Sequence, residues 1–124
     1  MIFKKNEIQN ENAQIAEVSE EIIEQWKAKH GEVYRIETES DSTTEKPLVF
    51  YFQKPSRIHF SRFIKDSMKD AYKAMHTMVH DLALHPSKEK LAQIFQEKPG
   101  LVVAVGNELN KIVGVSEDFL TSKV

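Results

Sequence analysis

Apolar residues recur in steps of three and four along the middle of the chain, at Phe60, Phe63, Ile64, Met68, Ala71, Met75, Met78, Val79 and Leu82. That spacing is one stripe of an α-helix, and it predicts a single long helix from Arg57 to about Leu84. Pro55 bars Lys54 from the helical region, Ser56 is placed to cap the helix, and Pro86 ends it. Ser87 then caps a short helix carrying Leu91, Ile94 and Phe95, which Pro99 and Gly100 break. Leu101 to Val113 reads as a further, largely apolar helix stopped at Gly114. Ser116, with Glu117 and Asp118, caps a last turn bearing Phe119 and Leu120.

Upstream the pattern changes. Ser19 is a helix N-cap, with Glu20 and Glu21 on the positive end of the dipole, and Val18 and Ile23 are spaced as a hydrophobic staple. Ile22, Ile23 and Trp26 form the apolar face of that short helix, and Gly31 stops it. A period of two follows. Tyr34, Ile36 and Thr38 alternate with Val33, Arg35 and Glu37, and Leu48, Phe50 and Phe52 alternate with Val49 and Tyr51. Two strands near 32–39 and 47–53, joined by a polar tip, make a β-hairpin. Two strands alone are marginal in water, so the hairpin has to lie on helices. The expected fold is α+β: an N-terminal helix and a β-hairpin packed on a bundle of three to four helices. Residues 1–18, rich in Asn, Gln and Glu, are expected to form a flexible arm ahead of one globular domain, 19–124.

Composition narrows the chemistry. A chain of 124 residues is one domain, able to bury a core without staples. It has no cysteine, which excludes disulfides and thiolate chemistry. No apolar run approaches the roughly 20 residues that span a bilayer, and the first residues lack the apolar centre of a signal peptide. A cytoplasmic protein is therefore expected, with no membrane partner. A net charge of -2 argues against nucleic acid as a partner.

No phosphate loop, nucleophile elbow or paired catalytic carboxylates are present, so neither an enzyme nor a cofactor is expected. His76 and His80 stand four apart, as metal-binding pairs do, but Thr77 holds the position of a zinc-protease glutamate and no third ligand is evident. No metal is expected. The pair takes on another meaning beside Arg62, Lys65, Lys69 and Lys73. On one continuous helix these six residues form a basic strip opposite the apolar stripe. A solvated outer face accounts for such a strip; the functional alternative is a docking ridge for an acidic partner. Met68, Met75 and Met78 read as core, although methionines also serve adaptable binding surfaces. Val102, Val103 and Val105 cover more than one side of their helix, which is then buried on several faces or binds a partner. Gly106, inside the helical pattern, points to a close helix approach at a cost of about 1 kcal/mol relative to Ala. The candidate partner-binding residues are thus Arg62, Lys65, Lys69, Lys73, His76, His80, Val102 and Val103.

The run Phe50-Tyr51-Phe52-Gln53-Lys54-Pro55-Ser56-Arg57 resembles the aromatic strand and Lys-Pro-x-Arg entry of small tail assembly chaperones of long-tailed bacteriophages and prophages. The helix with Phe63-Ile64-Lys65-Asp66 and Lys73-Ala74-Met75 is similar, as are the turn at His85-Pro86-Ser87 and the stretch from Glu97-Lys98-Pro99-Gly100-Leu101 to Gly106-Asn107-Glu108-Leu109. The likeness extends over roughly residues 26–120 and includes Trp26-Lys27-Ala28-Lys29-His30-Gly31. It implies a chaperone of the bacterial host cytoplasm, absent from the finished virion. Such a protein binds the tape-measure protein and keeps it soluble while the tail-tube protein is recruited. Self-association as a homo-oligomer is compatible with this. The alternative is a generic protein-binding adaptor or regulator of a mobile element, working through the basic face of the long helix.

Overall fold

The computed structural model describes residues 18–38, 47–115 and 120–124. Its elements are α1 (Glu20–His30), β1 (Val33–Glu37), β2 (Val49–Gln53), α2 (Arg57–Ser67), α3 (Ala71–Leu82), β3 (Ala83–His85), α4 (Lys88–Glu97) and α5 (Gly100–Ile112). This is the expected α+β architecture. The arm at 1–17, the hairpin tip at 39–46 and the turn proposed at 116–119 lie outside the described residues.

At Ser19, Gly31, Ser56 and Ser87 local chemistry sets the helix ends where the sequence places them. Ser19 Oγ accepts from the backbone N–H of Ile22 at 3.2 Å, and Gly31 closes α1 with φ 85°. Ser56 Oγ accepts from His59 N at 3.2 Å while His59 Nδ1 accepts from Ser56 N, a reciprocal capping box. Ser87 Oγ caps α4 through Lys90 N at 3.2 Å.

The sheet has three antiparallel strands in the order β1-β2-β3. In the hairpin Val33 stands opposite Gln53 and Glu37 opposite Val49, and Thr38 extends the ladder by accepting from Leu48 N at 2.8 Å through Oγ1. The third strand was not expected. Ala83 pairs with Phe52 and His85 with Tyr51, so the chain leaves α3 directly into the sheet rather than continuing helical to Pro86. This makes β2 a central strand, and Val49, Phe50, Tyr51 and Phe52 are all buried. Phe50 stacks on Phe95 of α4 at 6.2 Å, whereas Tyr51 meets Trp26 of α1 at 5.7 Å, so the two faces of β2 are covered by different helices.

The core joins Phe50 and Phe52 to Met75, Met78, Val79 and Leu82 of α3, Leu91 and Phe95 of α4, and Val102, Val105 and Leu109 of α5. Each large side chain fully buried there contributes about 1.5–3 kcal/mol, which secures a hairpin that two strands alone could not. Gly106 lies against α3 as its position suggested: a Cβ built on it would come within 2.5 Å of Met75 Cγ. That contact, with the Tyr72 hydroxyl donating to Pro99 O at 3.3 Å, seats α3 alongside α5 with their N-termini at the same end.

Candidate functional site

The predicted long helix is two helices. Asp70 adopts an extended backbone and its carboxylate accepts from Lys73 N at 3.0 Å, so a new N-cap starts α3 in the middle of an unbroken apolar period. Ser67 Oγ turns back to donate to Ile64 O at 2.8 Å, which helps α2 end there. The chain then reverses. Phe63 and Asp66 of α2 lie beside Ala74, Thr77 and Met78 of α3, and Arg62 comes within 4.0 Å of Asp81 near the far end of α3. The two form a helical hairpin.

This reversal divides the basic strip. Arg62 and Lys65 remain on α2, Lys69 sits in the turn, and Lys73, His76 and His80 belong to α3. The two histidines turn inward and are half-buried. Their rings stack at 4.4 Å, and each stands edge-on to Phe95, with centroids 6.0 Å away. They therefore point to α4, whereas Ala74, Thr77, Met78 and Asp81 of the same helix point to α2. His80 Nε2 is buried without a hydrogen-bond partner among the described residues. Burial, then the neighbouring His76 and the Lys88 ammonium, push its pKa down, against a smaller opposing pull from Asp81. Lys88 Nζ in turn donates to His80 O and to Ala83 O, covering carbonyls at the C-terminal end of α3. The expectation of one exposed ridge of six cations is thus corrected: a capped turn and a ring-packing contact take it apart. No group of three or more His, Cys, Asp or Glu among the described residues could hold a metal ion.

The valine pair also separates. Val102 is fully buried in the core, so as a partner-binding residue it is corrected to a packing one, whereas Val103, one step round the helix, is 43% exposed. Met75 and Met78 are core residues as expected, but Met68 is not. It lies in the turn after α2 and is 84% exposed, because the helix it was assigned to has already ended.

What remains is α2 itself. None of its eleven residues is buried; Phe60 and Phe63 are half-buried, while Ile58 and Ile64 are 69% and 43% exposed. Arg57, Ile58, Ser61, Arg62 and Lys65 line an open groove along its outer side. Arg57, Lys65, Lys69 and Lys73 make no ion pair among the described residues, and the Arg62–Asp81 contact is long and about half solvated, a geometry that contributes little. Segment 57–73 holds five cations, Arg57, Arg62, Lys65, Lys69 and Lys73, against Asp66 and Asp70. It is a positive patch on a chain whose net charge is -2. Ile58 and Arg57 were missed as members of this face. The signal was there: Ile58, Arg62 and Lys65 are spaced four and three apart, which sets an isoleucine on the basic side of the helix, out of phase with Phe60 and Phe63.

Comparison with known proteins gives a fold relative and a family. The solved structure of an uncharacterised protein, rbstp2171 from Bacillus stearothermophilus, matches with a TM-score of 0.68 and 30% sequence identity, over 81% of this chain and 99% of that one. No curated protein matches the chain. Residues 26–122, from Trp26 of α1 to a point beyond α5, match the model of a domain of unknown function, DUF6848, and the chain belongs to that family.

Proposed function

We propose that this protein is an assembly chaperone that works by protein–protein binding alone, holding an apolar helical segment of a larger client until that segment reaches its place in an assembly. One observation carries the reading: α2 has no buried residue, yet displays Ile58, Ile64 and, just beyond its end, Met68. Exposed aliphatic side chains interleaved with charge suit reversible capture of a second amphipathic helix. The area is small. A helix of eleven residues is only about 16 Å long, so the footprint falls well below the roughly 800 Å² per partner of a stable complex, and a transient hold is the natural use.

The resemblance of the aromatic strand and Lys54-Pro55-Ser56-Arg57 entry to small tail assembly chaperones supplies the client class: the tape-measure protein of a long-tailed phage or prophage, with the tail-tube protein recruited next. On this reading the protein acts in the bacterial host cytoplasm and is left out of the finished particle. The test is co-expression with the tape-measure protein of the same genetic element. The client is expected in the soluble fraction, co-purifying with this chain, and expected in the pellet without it. A client whose solubility does not change, with nothing co-purifying, would count decisively against the proposal.

A further inference from the structure

We infer that the outer face of α2 is a docking site for an acidic amphipathic helix, one that pairs a stripe of aliphatic residues with flanking Asp or Glu. The inference rests on the binding role proposed above and adds to it the place of contact and the chemistry of what is held.

Three observations converge on that occupant. The first is shape: the groove runs along one helix, from Arg57 and Ile58 through Ser61 and Arg62 to Lys65. Its length is about two helical turns, the spacing at which a second helix presents residues i, i+3, i+4 and i+7. The second is polarity. Ile58 in the groove, 69% exposed, and Met68 beyond its far end, 84% exposed, offer apolar contact that nothing in the described structure covers. Ile58 is not there by the needs of the fold, since it lies off the stripe by which α2 packs on α3.

The third observation selects the sign of the partner. Arg57 and Lys65 have no ion-pair partner among the described residues, and Arg62 holds Asp81 only at 4.0 Å. Arg57 stands in the first turn of α2, where the helix dipole disfavours a cation, and no acidic residue occupies that turn to offset it. A basic residue placed there works against helix stability and favours encounter with a negative surface. Asp66, the one carboxylate of α2, is half-buried toward α3 and leaves the groove positive. A basic helix would meet like charge there and a neutral one would leave the cations unpaired; an acidic one places carboxylates beside Arg57, Arg62 and Lys65 while its aliphatic stripe covers Ile58.

The test uses the full chain and two designed helical peptides of about eighteen residues, with the same leucine stripe flanked by Glu in one and by Lys in the other, in a fluorescence-anisotropy titration. The Glu peptide is expected to bind at least about tenfold more tightly than the Lys peptide, and to lose that advantage between about 0.05 and 0.5 M salt. Arg57→Glu with Lys65→Glu is expected to invert the preference, Ile58→Ser to weaken the Glu peptide, and circular dichroism to report an unchanged fold. The neutral pair Arg57→Gln with Lys65→Gln abolishes the preference if the reversed pair does not fold. Equal affinity for both peptides, no binding of either, or a preference that survives charge reversal overturns the inference. So does binding to phosphatidylglycerol vesicles or duplex DNA in place of the peptides, which would make the face a site for a membrane or a nucleic acid. The outcome separates cleanly from that of the proposed function. If the charge-reversed protein still keeps the tape-measure client soluble, the client sits elsewhere and this site falls alone. If the wild type binds the Glu peptide but leaves that client insoluble, the docking site stands and the chaperone role falls.

Discussion

At the scale of single residues, His80 and Gly106 carry constraints that their neighbours do not. The His80 ring is held neutral by burial, by His76 stacked on it and by Lys88 close by, so its folded pKa lies below the ordinary value of 6.5. Below that value the unfolded chain takes up a proton more readily than the folded one. Stability is therefore full above pH 6.5 and declines as pH falls toward the folded pKa. Thermal melts of the wild type from pH 8 down to 5 should show that decline, and His80→Gln should flatten it between about pH 6.5 and 5. A wild-type melting temperature unchanged over that range would mean the ring is protonated without cost. Gly106 is constrained by volume. Gly106→Ala gains about 1 kcal/mol in helix propensity, but the added methyl overlaps Met75, and overpacking of a buried contact costs about 1–3 kcal/mol. The substitution should lower stability on balance in urea titration, and its effect should couple with shortening of Met75, the two failing to add.

At the scale of elements, the decisive feature is the break at Asp70. Removing the cap with Asp70→Ala should cost about 1 kcal/mol in denaturant unfolding, whereas Asp70→Ser should be nearly silent. If Asp70→Ala is neutral, the turn is held by the packing of α2 on α3 rather than by its cap. The same residue marks how far the sequence can be read. Ser19, Ser56 and Ser87 were legible as caps because each stands where an apolar period begins. Asp70 was not, because the period of Phe60, Phe63, Ile64 and Met68 passes through it in phase; periodicity reports which face is apolar and is blind to a reversal of direction. The third strand was hidden for a related reason. Ala83 to His85 is too short to show an alternation, and its strand character comes from Phe52 and Tyr51, some thirty residues earlier. The candidate site followed these errors: His76 and His80 were assigned to a face that a continuous helix would have had, and Ile58 was passed over because it lies off the apolar stripe.

At the scale of the whole molecule, charge and packing are unevenly shared. The core draws on β2, α3, α4 and α5, while α1 and α2 contribute no buried residue and lie at the periphery. The positive charge gathered at 57–73 lies on one of these peripheral helices, where interactions with a partner are weakened by solvent but remain effective over about 10 Å at ordinary salt. That arrangement favours fast capture and fast release over tight holding, the kinetic profile that the proposed chaperone role calls for. No described helix is long and apolar enough to cross a membrane.

The helical hairpin leaves the sheet after β2 and returns to it at β3, and the two strands it connects are hydrogen-bonded neighbours, Phe52 beside Ala83. In architectural terms α2 and α3 together are an excursion whose end is tied back to its beginning by the sheet. Exchanging the outward residues of α2 disturbs neither the strand pairing nor any buried side chain, and surface substitutions of that kind are usually worth within about 0.5 kcal/mol. Recognition can therefore be rewritten on this scaffold almost independently of folding: relatives could diverge in what they hold by altering the outward side of one helix, and an engineer could graft a new binding surface onto those outward positions while Phe60 and Phe63 keep their packing.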